Sequence, residues 1–169
     1  MFDPRAQLKC IETLIEVKGI VDPADHAAIN RTICNRCYYA AYGSIRKTFE
    51  IKEPELFGQA GMHKRLVQIM TAVSNDPHIN GIGARLNSLK CQREWSDYEY
   101  SPVDCSEEQL ELNKRNAARV IDKFDKLSGN QIDRLVMAMK SVRYIRACKC
   151  LSLILQRINC RIRLSKVLY

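Results

Sequence analysis

Between Asp22-Pro23 and Phe49 no further proline intervenes, and the only glycine is Gly43, so the chain carries no strong helix breaker over this stretch. Asp22-Pro23 supplies a helix start, with Asp as N-cap and Pro at the first helical position. One helix of about 27 residues, roughly 40 Å long, fits here. Cys34, Tyr38, Ala41, Ile45 and Phe49 fall on one face at helical spacing. The neighbouring face carries Arg36, Tyr39, Ala40 and Gly43, small enough in places for another helix to approach closely.

The same punctuation divides the rest of the chain. Asp3-Pro4 opens a first helix whose inward positions are Leu8, Ile11, Leu14 or Ile15, and Lys18, with Gly19 as its stop. Pro54, Gly58 and Gly61 mark a loop. A short helix follows from near His63 to Ser74, with Leu66, Ile69 or Met70, and Val73 inward. Asp76-Pro77 starts the next one. Ser106 with Gln109 reads as a capping box for a fifth helix, striped by Leu110, Ala117, Ile121, Phe124 and Leu127 and stopped at Gly129. No convincing β alternation occurs before residue 130. The expected fold is all-α: an antiparallel bundle of about five helices over residues 1–129. Residues 130–169 form a basic C-terminal extension. Its helical period at Leu135, Met139 and Val142 gives way to strand-like alternation at Ile158, Cys160, Ile162 and Leu164.

A chain of 169 residues, 46% hydrophobic and 27% charged, suits one globular domain. It holds no apolar run long enough to span a bilayer, and Met1 to Cys10 lack a signal-peptide pattern, which points to the cytoplasm. The eight cysteines are then expected as thiols rather than a disulfide framework. Cys34 and Cys37 form a CxxC with no second pair to complete a zinc set, so they are expected to pack in the core and hold no metal. The net charge of +8 is unevenly placed. Residues 131–169 carry nine Lys/Arg and one Asp, hence +8, whereas residues 1–130 carry eighteen of each sign. Such a tail suits RNA phosphates or an anionic membrane surface, or it is an appended segment without a role.

The segment from Ile79 to Tyr100 carries the chemistry. Ile82, Leu86 and Leu89 form a buried helical stripe, which continues to Arg93 and then Asp97. An arginine on a buried stripe is costly unless paired or used. Two readings follow: an ordinary intrahelical ion pair where the stripe meets solvent, or a polar cluster of Arg93, Asp97, Tyr98 and Trp95 beside a cleft.

Two stretches resemble the HEPN domain family. Arg36, Tyr38, Tyr39, Ala40, Ala41 and Tyr42 match that family's R-x-Y-Y-A-A-[FY] signature, and Leu89, Arg93, Asp97 and Tyr98 match its later L-x-x-x-R-x-x-x-D-Y element. His63 falls where many members have a histidine opening the middle helix. The resemblance spans about residues 3–128 and does not reach the tail. It implies a helical bundle that homodimerises, often beside a minimal nucleotidyltransferase, in prokaryotic defence or toxin–antitoxin systems. It also implies metal-independent ribonuclease activity in active members, without a cofactor, and gives Arg93 the role of contacting phosphate.

The chain departs from the active pattern. Glu94 takes the polar position after Arg93, and Tyr98, Glu99 and Tyr100 stand where the family's histidine is expected. Cleavage through the 2′-hydroxyl needs a proton acceptor and a proton donor, and tyrosine, with a pKa of about 10, is a poor base near neutrality. His63 would have to enter from another helix. The leading expectation is therefore an RNA- or nucleotide-binding partner subunit using Arg36, Tyr39 and Arg93, with weak or no catalysis. One alternative is a metal-independent endoribonuclease built on Arg93, Asp97, Tyr98 and His63. The other is a non-catalytic interaction module in which Arg36, Arg93 and Asp97 serve dimer or bundle structure.

Overall fold

The Asp3 carboxylate accepts the Arg5 backbone N–H at 2.9 Å, with Pro4 in the first turn, and helix α1 runs Pro4–Lys18. Asp22 caps in the same way, accepting from the Ala24 N–H at 2.8 Å, but the turn it caps is a tight 3-10 turn over Pro23–Asp25. The long helix α2 accordingly begins after that turn and runs His26–Lys52. A second 3-10 turn, Pro54–Leu56, is followed by α3 (Met62–Ala72), α4 (Pro77–Tyr98) and α5 (Glu107–Asp125). A sixth helix, α6, covers residues 129–141. The computed structural model describes residues 3–56, 61–72, 76–98 and 106–141, and of Ala72 and Tyr98 the backbone alone. Among the described residues there is no strand, and the fold is an all-α helical bundle.

α2 is the central element, packing against α1, α4 and α5, while α4 also packs against α3 and α5. Its expected core face is buried throughout at Cys34, Tyr38, Ala41, Ile45 and Phe49. Cys34 and Cys37 both lie in that core, and burial pushes the Cys37 thiol up to about 12. Ala40 joins the core rather than the open face, so Arg36, Tyr39 and Gly43 alone of that set remain toward solvent. On α4 the stripe Ile82, Leu86 and Leu89 is buried as expected. Gly83 allows α3 and α4 to approach closely: a Cβ there would lie 2.9 Å from Met70 Cβ and 3.0 Å from the Met70 carbonyl carbon.

The end of the bundle differs from expectation. α5 stops at Asp125, and Gly129 opens α6 instead of terminating α5. The reason is a reciprocal cap at Ser128. Its hydroxyl accepts from the Gln131 N–H at 3.3 Å, while Gln131 Oε1 accepts from the Ser128 N–H at 2.9 Å. Leu135, Val136 and Met139 then enter the core, so packing continues past residue 129. Polar ties fix α6 in place: Gln131 donates to Asp76 at the start of α4 at 2.6 Å, Arg134 pairs with the same carboxylate, and Lys140 pairs with Glu53. No helix among the described residues is long and apolar enough to cross a membrane.

Candidate functional site

The solvent side of α2 presents Thr32, Arg36, Tyr39, Gly43, Arg46 and Glu50 at intervals of three or four residues. Two clefts lie along this stripe and share Tyr39. The first, about 350 Å³, is lined by Thr32, Asn35, Arg36, Tyr39, Arg93 and Asp97. Here the two sequence readings of Arg93 merge. Its Nε lies 2.6 Å from Asp97 Oδ2, as an intrahelical ion pair requires, and both side chains keep about a fifth of their surface exposed, 22% and 23%. The pair is close in distance, yet the buried Nε–H meets no acceptor in hydrogen-bond geometry. Asp97 is held from across the cleft by Asn35, whose Nδ2 donates to Oδ1 at 2.7 Å. The guanidinium carbon of Arg93 sits 5.5 Å from the centre of the Tyr39 ring, within cation–π range. Asp97 lies against the Nε edge as an ion-pair partner and Tyr39 supports one face, while the two Nη groups have no partner among the described residues. That free edge is the one a guanidinium uses to chelate phosphate. Arg36 projects into the same cleft, its guanidinium 3.5 Å from Gln7 Oε1.

The second cleft, about 570 Å³, is lined by Tyr39, Tyr42, Gly43, Arg46, Lys47, Glu50, Ile51 and His63. His63, at the start of α3, stacks on Tyr42 with ring centres 4.0 Å apart and meets Tyr39 edge to face at 6.1 Å. Its Nδ1 lies 2.6 Å from the Tyr38 hydroxyl. Tyr38 is fully buried and its hydroxyl has no other partner among the described residues, so donating this bond is what satisfies its hydrogen in the core. Burial also holds the Tyr38 phenol protonated. Neutral His63 consequently carries its proton on Nε2, which has no partner within the described protein. Burial, with Arg93, Arg46 and Lys90 nearby, lowers the His63 pKa below its ordinary value.

No family model matches the chain, and neither does any curated protein or solved structure. The site therefore stands on its own geometry. Of the sequence-derived residues, Arg36, Tyr39, Arg93 and Asp97 share one cleft. His63 lines the neighbouring one, and the Tyr38, Tyr39 and Tyr42 run wraps around it. The Tyr98 side chain lies outside the described residues. Trp95 packs against the core and lines neither cleft. Sequence reasoning missed Asn35, Arg46 and Lys47, and it marked Tyr42 only as part of the family signature. Arg46 and Glu50 continue the period of Arg36 and Tyr39 and were legible as a polar stripe, whereas nothing local marks Asn35. Among the described residues no group of three or more His, Cys, Asp or Glu is placed to hold a metal ion.

The His63 environment has a measurable consequence. Its pKa is depressed in the folded state, so the unfolded chain binds the proton more readily and stability rises with pH. The contribution is fully present above the ordinary histidine value of about 6.5 and is lost as pH falls below it. His63→Gln keeps an acceptor for Tyr38 but does not titrate. Between about pH 7.5 and about pH 5.5 the melting temperature of the wild type is expected to fall further than that of the variant. Equal falls in the two proteins would show that His63 is not destabilised by protonation.

Proposed function

We propose that this chain is a HEPN-like helical subunit of a prokaryotic defence or toxin–antitoxin system, binding RNA or nucleotides through the Arg36–Tyr39–Arg93 cleft. The observation that carries the reading is the arrangement of Arg93: ion-paired at Nε with Asp97, backed by the Tyr39 ring, and without a partner for its Nη edge among the described residues. A purely structural ion pair has no need of an aromatic backing and a free donor edge facing a second arginine. The two sequence motifs that resemble the family meet at this cleft, one supplying Arg36 and Tyr39 and the other Arg93 and Asp97.

Weak or absent catalysis follows from proton placement. Arg93 is permanently charged and moves no protons. His63, the one histidine near the site, has its Nδ1 lone pair occupied by Tyr38 and its proton on Nε2, so the nitrogen that remains accessible is a donor, not a base. The reading includes a cytoplasmic homodimer that brings two such clefts together, and a minimal nucleotidyltransferase as partner. Sedimentation showing only monomer at micromolar concentration would remove the dimer from it.

The decisive test is incubation of the purified protein with mixed single-stranded RNAs in EDTA, reading binding and cleavage in parallel. Binding that weakens about tenfold in Arg93→Ala, without cleavage in either protein, is expected, because a hydrogen-bonded charge contributes about 1.5–3 kcal/mol. Cleavage abolished by Arg93→Ala would instead establish the endoribonuclease. Unchanged binding would return Arg93 to bundle structure.

A further inference from the structure

The second cleft carries chemistry that neither family motif assigns. Its aromatic wall is a corner: Tyr39 and His63 meet at 89° with ring centres 6.1 Å apart, and Tyr42 backs His63. Such a corner holds a planar ring by a face and an edge. Arg46 and Lys47, further along α2 than Tyr39 and Tyr42, also line the cleft. Arg46 is held more fully than Arg93 is: one carboxylate oxygen of Glu50, four residues on, lies 2.6 Å from both Nε and Nη2, which leaves Nη1 outside the pair. Lys47 has no carboxylate within ion-pair distance among the described residues. The lining therefore contains one paired carboxylate, two cations and the Nε2–H of neutral His63. Its surface is mainly apolar, its cations outnumber its carboxylates two to one, and a volume of about 570 Å³ falls within the range of small-molecule sites.

We propose that this cleft binds a nucleoside monophosphate unit, its base against the Tyr39–His63 corner and its phosphate on Lys47 and Arg46. The inference rests on the nucleotide-binding reading above for its ligand class, but apart from Tyr39, which both clefts share, its residues are separate from those of the Arg93 cleft. Adenosine monophosphate free in solution and the 5′-phosphorylated end of a single-stranded RNA offer the same chemistry. An aromatic corner without cations would suit an apolar ring, and cations without the corner would suit any anion. Their juxtaposition around one volume selects a ligand that has both parts.

Calorimetric titration of the wild type, Lys47→Ala and Arg93→Ala with adenosine monophosphate, inorganic phosphate and a short 5′-phosphorylated RNA tests this. Lys47 is partly exposed and makes no ion pair, so its removal leaves the fold intact, as circular dichroism would verify. Lys47→Ala is expected to weaken adenosine monophosphate by about tenfold, the weight of one charge-assisted hydrogen bond. Arg93→Ala is expected to weaken the RNA more than that ligand, because Arg93 does not line this cleft and reaches it only through the shared Tyr39 ring. Competition between the RNA and the mononucleotide would identify an RNA end as the occupant; absence of competition would identify a free nucleotide. Inorganic phosphate binding as tightly as adenosine monophosphate would overturn the proposal, because the aromatic corner would contribute nothing. RNA binding sensitive to Arg93 but indifferent to Lys47, with no mononucleotide bound, would overturn the pocket and spare the Arg93 cleft. Lys47-dependent mononucleotide binding, with RNA indifferent to Arg93, would do the reverse.

Discussion

A chain ending at residue 130 is expected to lose its cooperative fold, whereas one ending at residue 141 keeps it. The reason lies in α6, which places Leu135, Val136 and Met139 in the core at 2%, 7% and 0% exposure. Full burial of each such side chain stabilises by about 1.5–3 kcal/mol, so the three together contribute on the order of 5–8 kcal/mol. A domain of this size is stable by only about 5–15 kcal/mol. Removing α6 also strips partners from Asp76 and Glu53 and uncovers the apolar surface that its side chains cover. Even after allowing for a compact unfolded state, which lowers such area-based figures, the loss is comparable to the whole. Circular dichroism melts of the two truncated chains would check it. If the chain ending at 130 melted as sharply and as high as the full protein, α6 would be a passenger on the bundle.

The second large effect concerns polyanion binding. Residues 142–169 carry seven Lys/Arg and no Asp/Glu, while Arg134 and Lys140, the other two cations of the tail, are paired with Asp76 and Glu53 in the bundle. Each phosphate neutralised on a single strand contributes about 0.7 to the slope of log affinity against log salt. Removing residues 142–169 is therefore expected to flatten that slope by up to about 5 and to weaken binding to all sequences alike. Arg93→Ala, by contrast, removes one contact per chain, or two in a dimer. The comparison needs only binding curves at several salt concentrations. An undiminished slope after truncation would make the tail irrelevant and locate all polyanion binding in the clefts along α2.

Capping and periodicity act within a few residues, and the features they govern were legible. Asp3, Asp22 and Asp76 start their segments because a carboxylate there satisfies a free N–H of the first turn, whatever lies elsewhere in the chain. Ile82, Leu86 and Leu89 are buried because one helical face must meet the core. Gly129 went the other way for an equally local reason. Ser128 and Gln131 form the same S-x-x-Q cap that was recognised at Ser106 and Gln109, and a glycine inside such a cap begins a helix. In the folded chain this cap prevails over the tendency of glycine to end helices.

By itself, then, the sequence determined an all-α chain, the helix starts, the buried stripes and the placing of Arg93 and Asp97 on one face. Helical spacing alone put those two residues within reach of each other. Only the tertiary structure decided that Asn35 on α2 reaches Asp97 on α4, that Tyr38 donates to His63 across the α2–α3 pair, and that α6 closes the core. These contacts depend on which faces of separate helices are turned together, and at what distance. Backbone hydrogen bonds and periodicity are blind to both, because they act along one helix and not between two. The packing of large buried side chains sets them, and in this bundle it leaves the donor edge of Arg93 and the corner at His63 facing the same open side of α2.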